Sequence, residues 1–375
     1  MRRRTKKRSS LHFFSKFVLS ANILVVLALL LSYLASYVDP GKFWIISFFG
    51  LAYPAILIFN VLFVIYWLLR FPKLALLSGL TILAGWSIIL NYVGFRESTA
   101  IMVPKSSESF IRIMSYNVHN FKQFGDKNDR FTKEQILDII RKEQPDIICF
   151  QEFFSRKRGE YNFRKLIKEI LETEHYYFKP STDNGYEAIG MAIFSKYPIV
   201  NHGNIQFAKR MNWNEAVFAD IKKGDKTFRV YNVHFQSVSF QPEDYQYLKQ
   251  VTSEMLNTNV ESSKKIGSRL KKAFIKRSRQ VKMVKEHAEK SSIPVIIAGD
   301  FNDTPISYTV KTISEDMNNC FREKGSGFGI TYNGAFPNFQ IDYIFSSPEF
   351  EVKNYLIINK KLSDHYPVRA DLELK

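Results

Sequence analysis

Pro294-Val295-Ile296-Ile297-Ala298-Gly299-Asp300-Phe301-Asn302 is a short apolar run that stops on a glycine, a carboxylate and an amide. A run of this length, rich in β-branched residues and closed by turn formers, reads as a buried strand that delivers polar side chains at its end. The pattern recurs along the chain. Phe110 to Tyr116 runs into Asn117, His119 and Asn120, and Asp146-Ile147-Ile148-Cys149-Phe150 delivers Gln151 and Glu152. Gly190-Met191-Ala192-Ile193-Phe194-Ser195 and Phe228-Arg229-Val230-Tyr231-Asn232-Val233-His234 are two more such strands. Ile341-Asp342-Tyr343-Ile344-Phe345 and Ser363-Asp364-His365-Tyr366-Pro367 complete the series.

Taken singly, each of these endings is ordinary. An Asp or Asn after a strand commonly serves a turn or caps a helix, and an isolated His is commonly a satisfied core or surface residue. Repetition changes the reading. Polar groups placed at the ends of many strands are pooled into one site if the strands converge at one edge of a sheet sandwich. Between the strands, helices are expected over 132–143 and 270–289. In the first, Thr132 and Gln135 form a capping-box pattern, Ile136, Ile139 and Ile140 share a face, and Pro145 stops it.

Before residue 110 the texture changes. Three apolar stretches, 17–38, 43–69 and 74–93, each approach or exceed the ~20 residues that span a bilayer core. Asp39-Pro40-Gly41-Lys42 and Arg70-Phe71-Pro72-Lys73 separate them, and Pro54 and Asn60 lie inside the second. The expected organisation is a basic cytoplasmic N-terminus over 1–16, three transmembrane helices within 17–95, a polar tether over 96–109 and a catalytic domain over 110–375. Of the net charge of +17, eleven Lys/Arg against Asp39 and Glu97 leave a surplus of nine up to Pro104 and eight beyond it. Basic residues at the N-terminus and in the second turn, against Lys42 alone in the first, predict an integral membrane protein with its N-terminus inside the cell and its catalytic domain outside the cytoplasm. A signal peptide would explain the first apolar stretch alone, but two more follow and no small-x-small cleavage site is evident. The two cysteines, Cys149 and Cys320, exclude a zinc–thiolate site and a disulfide framework. A single bridge between them stays open.

In order, Ser115-Tyr116-Asn117-Val118, Gln151-Glu152, Ile193-Phe194-Ser195-Lys196-Tyr197-Pro198-Ile199, Asn232-Val233-His234, Gly299-Asp300-Phe301-Asn302, Ile341-Asp342-Tyr343-Ile344 and Ser363-Asp364-His365-Tyr366-Pro367-Val368 resemble the endonuclease/exonuclease/phosphatase superfamily, which includes pancreatic deoxyribonuclease and neutral sphingomyelinases. The resemblance covers nearly all of 110–375. It implies a four-layer α/β/β/α sandwich and a Mg²⁺ (or Mn²⁺) site held by Glu152, Asn117 and Asp364. It also implies that Asp300 orients and deprotonates the attacking water beside Asn302, and that His365, paired with Asp342, holds the phosphate. Asn232, His234 and His365 would form the phosphate-binding set, with His234 also a candidate to protonate the leaving group. An extra acidic ligand and a tyrosine known in some branches have only Glu187 and Tyr186 as candidates here.

The chemistry is coherent without the resemblance. Phosphoester hydrolysis builds charge on the non-bridging and leaving oxygens, so a cation, donors and a carboxylate beside the water must surround phosphorus. Oxygen and amide ligands suit a hard cation. The substrate is expected to be a phosphodiester in nucleic acid or a lipid headgroup, with the bilayer as the other partner and no obligate protein partner. Specificity would lie in the stretches 155–179, 208–213 and 236–270. A lysine- and arginine-rich face from Lys271 to Lys285 suits a phosphate backbone, a bilayer surface or plain solvent. The alternative from another class is a catalytically silent binding module tethered to the membrane.

Overall fold

The quoted stretch forms the strand Val295–Asp300 at the centre of a six-stranded sheet in the computed structural model, which describes residues 12–96, 107–121, 130–208, 213–254, 259–334 and 338–375. The basic N-terminus up to residue 11, most of the tether and residues 209–212 lie outside the described residues. The sheet's spatial order is Asn318–Asn319, Asp342–Ser346, Val295–Asp300, Lys226–His234, Glu215–Lys223 and Ile199–Ile205. A second six-stranded sheet runs Phe350–Ile357, Val368–Leu374, Ile111–Asn117, Ile147–Arg156, Glu187–Ser195 and Tyr176–Asp183.

Period-two alternation assigns each strand's two faces. Between the sheets Ile113, Cys149, Ile193, Val217, Val230 and Ala298 form one core. On the outer face of the second sheet, Tyr116, Ile148, Phe150 and Phe194 pack under the helices Arg130–Glu143 and Phe163–Leu171. On the outer face of the first, Tyr231, Ile297 and Phe345 pack under the helix Val260–Glu289, which contributes Val281 and Val284. Strands covered on both sides read as continuous apolar runs, and the result is the expected α/β/β/α sandwich. Cys149 and Cys320 are both free thiols buried in the inter-sheet core.

Two helix boundaries differ from expectation. The first helix begins at Arg130, so Thr132 lies within its first turn and is not its cap. The basic helix starts ten residues earlier than read, at Val260, where the Asn259 side chain accepts from the backbone N–H groups of Glu261 and Ser262.

Where three single spanning helices were expected, the N-terminal half has two of spanning length and a third apolar stretch broken into shorter elements. Its elements are α1 (Phe13–Leu34), α2 (Pro40–Phe43), α3 (Ile45–Leu51), α4 (Tyr53–Arg70), α5 (Pro72–Ala84) and α6 (Trp86–Ile89). Among the described residues only α1 and α4 are long and apolar enough to cross a bilayer; α5 has 13 residues. Pro54 sits in the first turn of α4, where its missing N–H costs nothing, and so marks a helix start within the stretch read as one span. The third stretch breaks at Gly85 and ends in the strand Val93–Phe95, which pairs with Ser326–Phe328 of the sandwich.

Further contacts join the two halves. Ser36 Oγ donates to Ile306 O at 2.8 Å, and Asp39 pairs with Lys282. Phe48 meets Phe274 edge-on at 5.3 Å, and Lys271 lies 4.3 Å over the Trp44 ring.

Candidate active site

Strand register builds the centre of the site. Asp300 is paired with Asp342 on one side and with His234 on the other, so three ionisable side chains stand in one row across adjacent strands at the sheet's edge. Gly299, just before Asp300, has φ +145, and a Cβ there would come within 2.0 Å of Val233 O. Only glycine lets the strands approach this closely. The facing sheet brings Asn117 from the end of one strand and Glu152 from inside its neighbour, and the Ser363–His365 turn closes the ring. That neighbour does not stop at Phe150 as expected but runs to Arg156, with a break in register between Phe150 and Phe153.

Asp300 is the hub. Its Oδ2 accepts from Asn117 Nδ2 and from Asn302 Nδ2, both at 3.1 Å, and its Oδ1 accepts from the Asn302 backbone N–H at 2.8 Å. His234 Nε2 and His365 Nε2 lie 3.6 and 3.7 Å from Oδ2. His365 Nδ1 donates to Asp342, 2.9 Å from Oδ2 and 3.1 Å from Oδ1, which fixes the ring. Asp364 Oδ1 faces His119 Nδ1 at 3.2 Å, and the Asn117 side-chain oxygen accepts from the His119 backbone N–H at 3.2 Å.

Burial and neighbours drive these groups apart in proton affinity. Burial raises Asp300 well above the usual aspartate range, against the lowering effect of His365. Burial opposes charge on His365, but Asp342, Asp300 and Asp364 outweigh it and hold the imidazolium form. Burial lowers His234, which keeps it neutral despite Glu152 nearby. Burial works to raise Asp364, yet His365 and the hydrogen bond from His119 leave it strongly lowered. One neutral and one charged imidazole therefore flank a single carboxylate, a division of acid and base roles typical of catalytic centres.

Glu152 differs from its neighbours. Its carboxylate is partly exposed, and the nearest partner among the described residues is His234 Nε2 at 3.9 Å. Its backbone is held at φ +51, while His119, Asn120 and Asn302 at adjoining strand ends have φ +42, +57 and +52. Strained non-glycine backbone of this kind gathers at functional sites. Asn117, Glu152 and Asp364 line one cavity of about 390 Å³ with Asp300, His234, Asn302 and His365. Oxygen donors without a lysine or arginine partner fit a hard divalent cation. The tightest carboxylate–imidazole group is a different one, Asp300, Asp342 and His365, with atoms within 4.8 Å of one another. There Asp342 already receives the His365 ring N–H, and a protonated imidazole has no lone pair to give a metal.

Three expectations fail here. Asn232, read as phosphate-binding, is fully buried between the sheets. Its amide donates to Phe150 O at 2.8 Å and Ala192 O at 3.0 Å, and its oxygen accepts from Gln151 at 2.6 Å, so it ties the sheets together. Glu187 pairs with Arg156 at 3.2 Å and Tyr186 lies 5.3 Å from the same guanidinium; neither lines the cavity. Of the three stretches expected to set specificity, only 236–270 contributes described residues to the cavity wall. Missed altogether were Tyr332, whose ring meets His365 edge-on at 5.4 Å, and the apolar lining residues Leu51 and Phe274, while Phe240, Tyr245 and Leu270 fall within the stretch 236–270 without having been singled out. No pattern marks them, because each is a common core residue until the fold places it.

A family model described as endonuclease/exonuclease/phosphatase family matches residues 114–263 and 272–365. A second, described as a domain of unknown function, matches residues 15–92. No curated protein matches the sequence. Among solved structures, an endonuclease/exonuclease/phosphatase from Beutenbergia cavernae is similar at 17% identity and TM-score 0.51, covering 71% of this chain and 72% of that one. A family protein from Bacteroides thetaiotaomicron gives 18%, 0.51, 71% and 98%. One from Bacteroides vulgatus gives 19%, 0.50, 71% and 99%. At these identities the likeness shows the fold.

Proposed function

The chain belongs to the endonuclease/exonuclease/phosphatase family, whose members hydrolyse phosphoester bonds, and on that premise we propose that it is a membrane-anchored, Mg²⁺-dependent phosphodiesterase. The observation that carries this reading is the row Asp342–Asp300–His234, closed by His365 and Asn117. Asp300 orients the attacking water with Asn302 and takes its proton. A base whose pKa is lifted towards neutrality is well matched to that task. His365, held as imidazolium by Asp342, binds a non-bridging phosphoryl oxygen and stabilises the charge that grows there. His234, neutral and 3.6 Å from Asp300, stands on the opposite side of the carboxylate from Asp342 in the strand row, and would meet the leaving oxygen of a phosphoester bound at His365. Glu152, Asn117 and Asp364 would hold the cation, which when bound supplies charge neutralisation at the phosphoryl group.

The membrane reading rests on an inside-out arrangement of the N-terminal helices. Asn22, Asn60, Ser78 and Trp67 form a buried hydrogen-bond chain joining α1, α4 and α5, with links of 2.6 to 3.0 Å. Leu24, Leu62, Leu69 and Leu80 point outward and are more than half exposed. Polar residues inside and leucines outside suit hydrocarbon as solvent. Contacts with the sandwich come mainly from residues 36–51 and from 91–96, which suits three traversals with α5 and α6 completing the third. The proposed orientation keeps the N-terminus cytoplasmic and the catalytic domain outside; a reporter active only in the cytoplasm, fused after Pro104, must be silent.

The activity is tested with the purified full chain on bis(p-nitrophenyl) phosphate. Turnover is expected with Mg²⁺, none with EDTA, and recovery on re-adding Mg²⁺. Equal turnover in EDTA, or none under any condition, refutes the proposal.

A further inference from the structure

The catalytic cavity has a second character that phosphoester chemistry does not use. Leu51, Val238, Phe240, Leu270 and Phe274 line it together with Asp300, His234 and His365. These five belong to one apolar cluster, in which Phe48 and Leu51 of α3 pack on Leu270 and Phe274 of the long helix. Leu51 is the last residue of α3, and α4, one of the two helices able to cross a bilayer, begins two residues later at Tyr53. The membrane half thus supplies part of the catalytic pocket's wall at the point where its chain turns into the bilayer. Trp44 and Lys271, stacked at 4.3 Å beside this junction, are the residue types that anchor at the headgroup level.

A nucleic acid asks for different lining. Backbone tracking needs lysines and arginines free to meet successive phosphates. The one Lys or Arg among the described lining residues is Arg277, which is 1% exposed. Its guanidinium is committed to Asp303 at 3.0 Å and to Gln236 O at 2.9 Å. Three other basic residues of the helix pair away from the cavity: Arg269 with Asp244 at 2.9 Å, Lys282 with Asp39, and Lys285 with Glu315 at 3.1 Å.

We propose that the substrate is an amphiphilic phosphodiester taken from the bilayer, with its phosphate at Asp300 and His365 and the first methylenes of its hydrocarbon chain against Leu51, Phe240, Leu270 and Phe274. This rests on the phosphodiesterase reading. Apolar surface in the wall converts hydrocarbon burial into binding, at about 0.8 kcal/mol or roughly fourfold per methylene.

The test uses the full chain in lipid nanodiscs with Mg²⁺ and a series of alkyl p-nitrophenyl phosphodiesters, methyl, butyl and octyl, below their micelle-forming concentrations. For the native chain kcat/KM is expected to rise at least about tenfold from methyl to octyl. Leu51→Ser is expected to cut the octyl-to-methyl ratio about tenfold, while Leu51→Met keeps it; both variants are first matched to the native thermal midpoint. Partition into the disc is common to all three proteins, so the change in ratio reports the pocket wall. Turnover with no dependence on chain length, or an equal ratio in Leu51→Ser, overturns the lipid assignment and leaves the phosphodiesterase standing. Faster cleavage of a single-stranded oligodeoxynucleotide than of the octyl ester overturns it in favour of nucleic acid. No turnover of any ester overturns both.

Discussion

The strand Ile111–Asn117 carries buried charge at both ends, and the two ends are built on opposite rules. At its start, Arg112 grips Asp371 with two parallel bonds of 2.7 and 2.9 Å and donates to Glu143 O, while Arg369 pairs with Glu143. Each of these two carboxylates meets a guanidinium. At its finish, Asn117 opens onto Asp300, Asp342, Glu152 and Asp364, which among the described residues pair with imidazoles, amides and the Ser363 hydroxyl, and with no arginine or lysine. A closed pair of opposite charges locks a fold. An excess of carboxylates with no arginine or lysine leaves room for a cation and keeps protons mobile. Burial is shared by both ends, so it is the charge balance and the strained backbone at Glu152 and Asn302 that single out the functional one.

This contrast is open to attack by mutation. The largest effect falls at the open end: His365→Ala is expected to lower kcat on a phosphodiester by about a thousandfold while the thermal midpoint moves little. At the closed end the pattern inverts. Arg112→Met leaves Asp371 buried without its partner and is expected to cost about 3–5 kcal/mol, lowering the midpoint by about 10 °C, with normal kcat per folded molecule. Glu152→Gln should weaken Mn²⁺ or Mg²⁺ binding by at least about tenfold in calorimetric titration without loss of stability; unchanged affinity would move the metal to the Asp300–Asp342–His365 group. The smallest effect tests the locking rule at a third place. Burial works to raise Asp220, but hydrogen bonds from Arg229 and Asn201 leave its pKa below the ordinary 3.8. A lowered folded pKa gives stability that is present above the unfolded value and lost as pH falls through the folded one. Asp220→Asn should therefore show a flatter loss of unfolding free energy below about pH 4; an unchanged acid limb contradicts the pairing.

The open end was largely legible in the sequence, because strand ends are marked by turn formers and alternation fixes which residues share a face. Asn232 shows the limit of that reading. It lies on the same face as His234, as i and i+2 must, but opposite Ala298 inside the sandwich, whereas His234 stands opposite Asp300 at the edge. Face was readable and depth was not. The N-terminal helices were less legible still. A segment apolar on all sides has no periodicity to show where one helix ends, and Pro54 is equally at home as a tolerated interior residue or as the start it proved to be. Leu51 was beyond reach, since its neighbours Leu270 and Phe274 lie more than two hundred residues away along the chain.

In the proposed mechanism Asp300 acts as the general base and is not merely a buried charge held by its neighbours. Asp300→Asn keeps the side chain's shape and removes its basicity. With saturating Mg²⁺, and with metal affinity and thermal midpoint confirmed as native, its kcat on bis(p-nitrophenyl) phosphate is expected to fall by about a thousandfold. A variant that turns over within about threefold of the native rate would contradict the account.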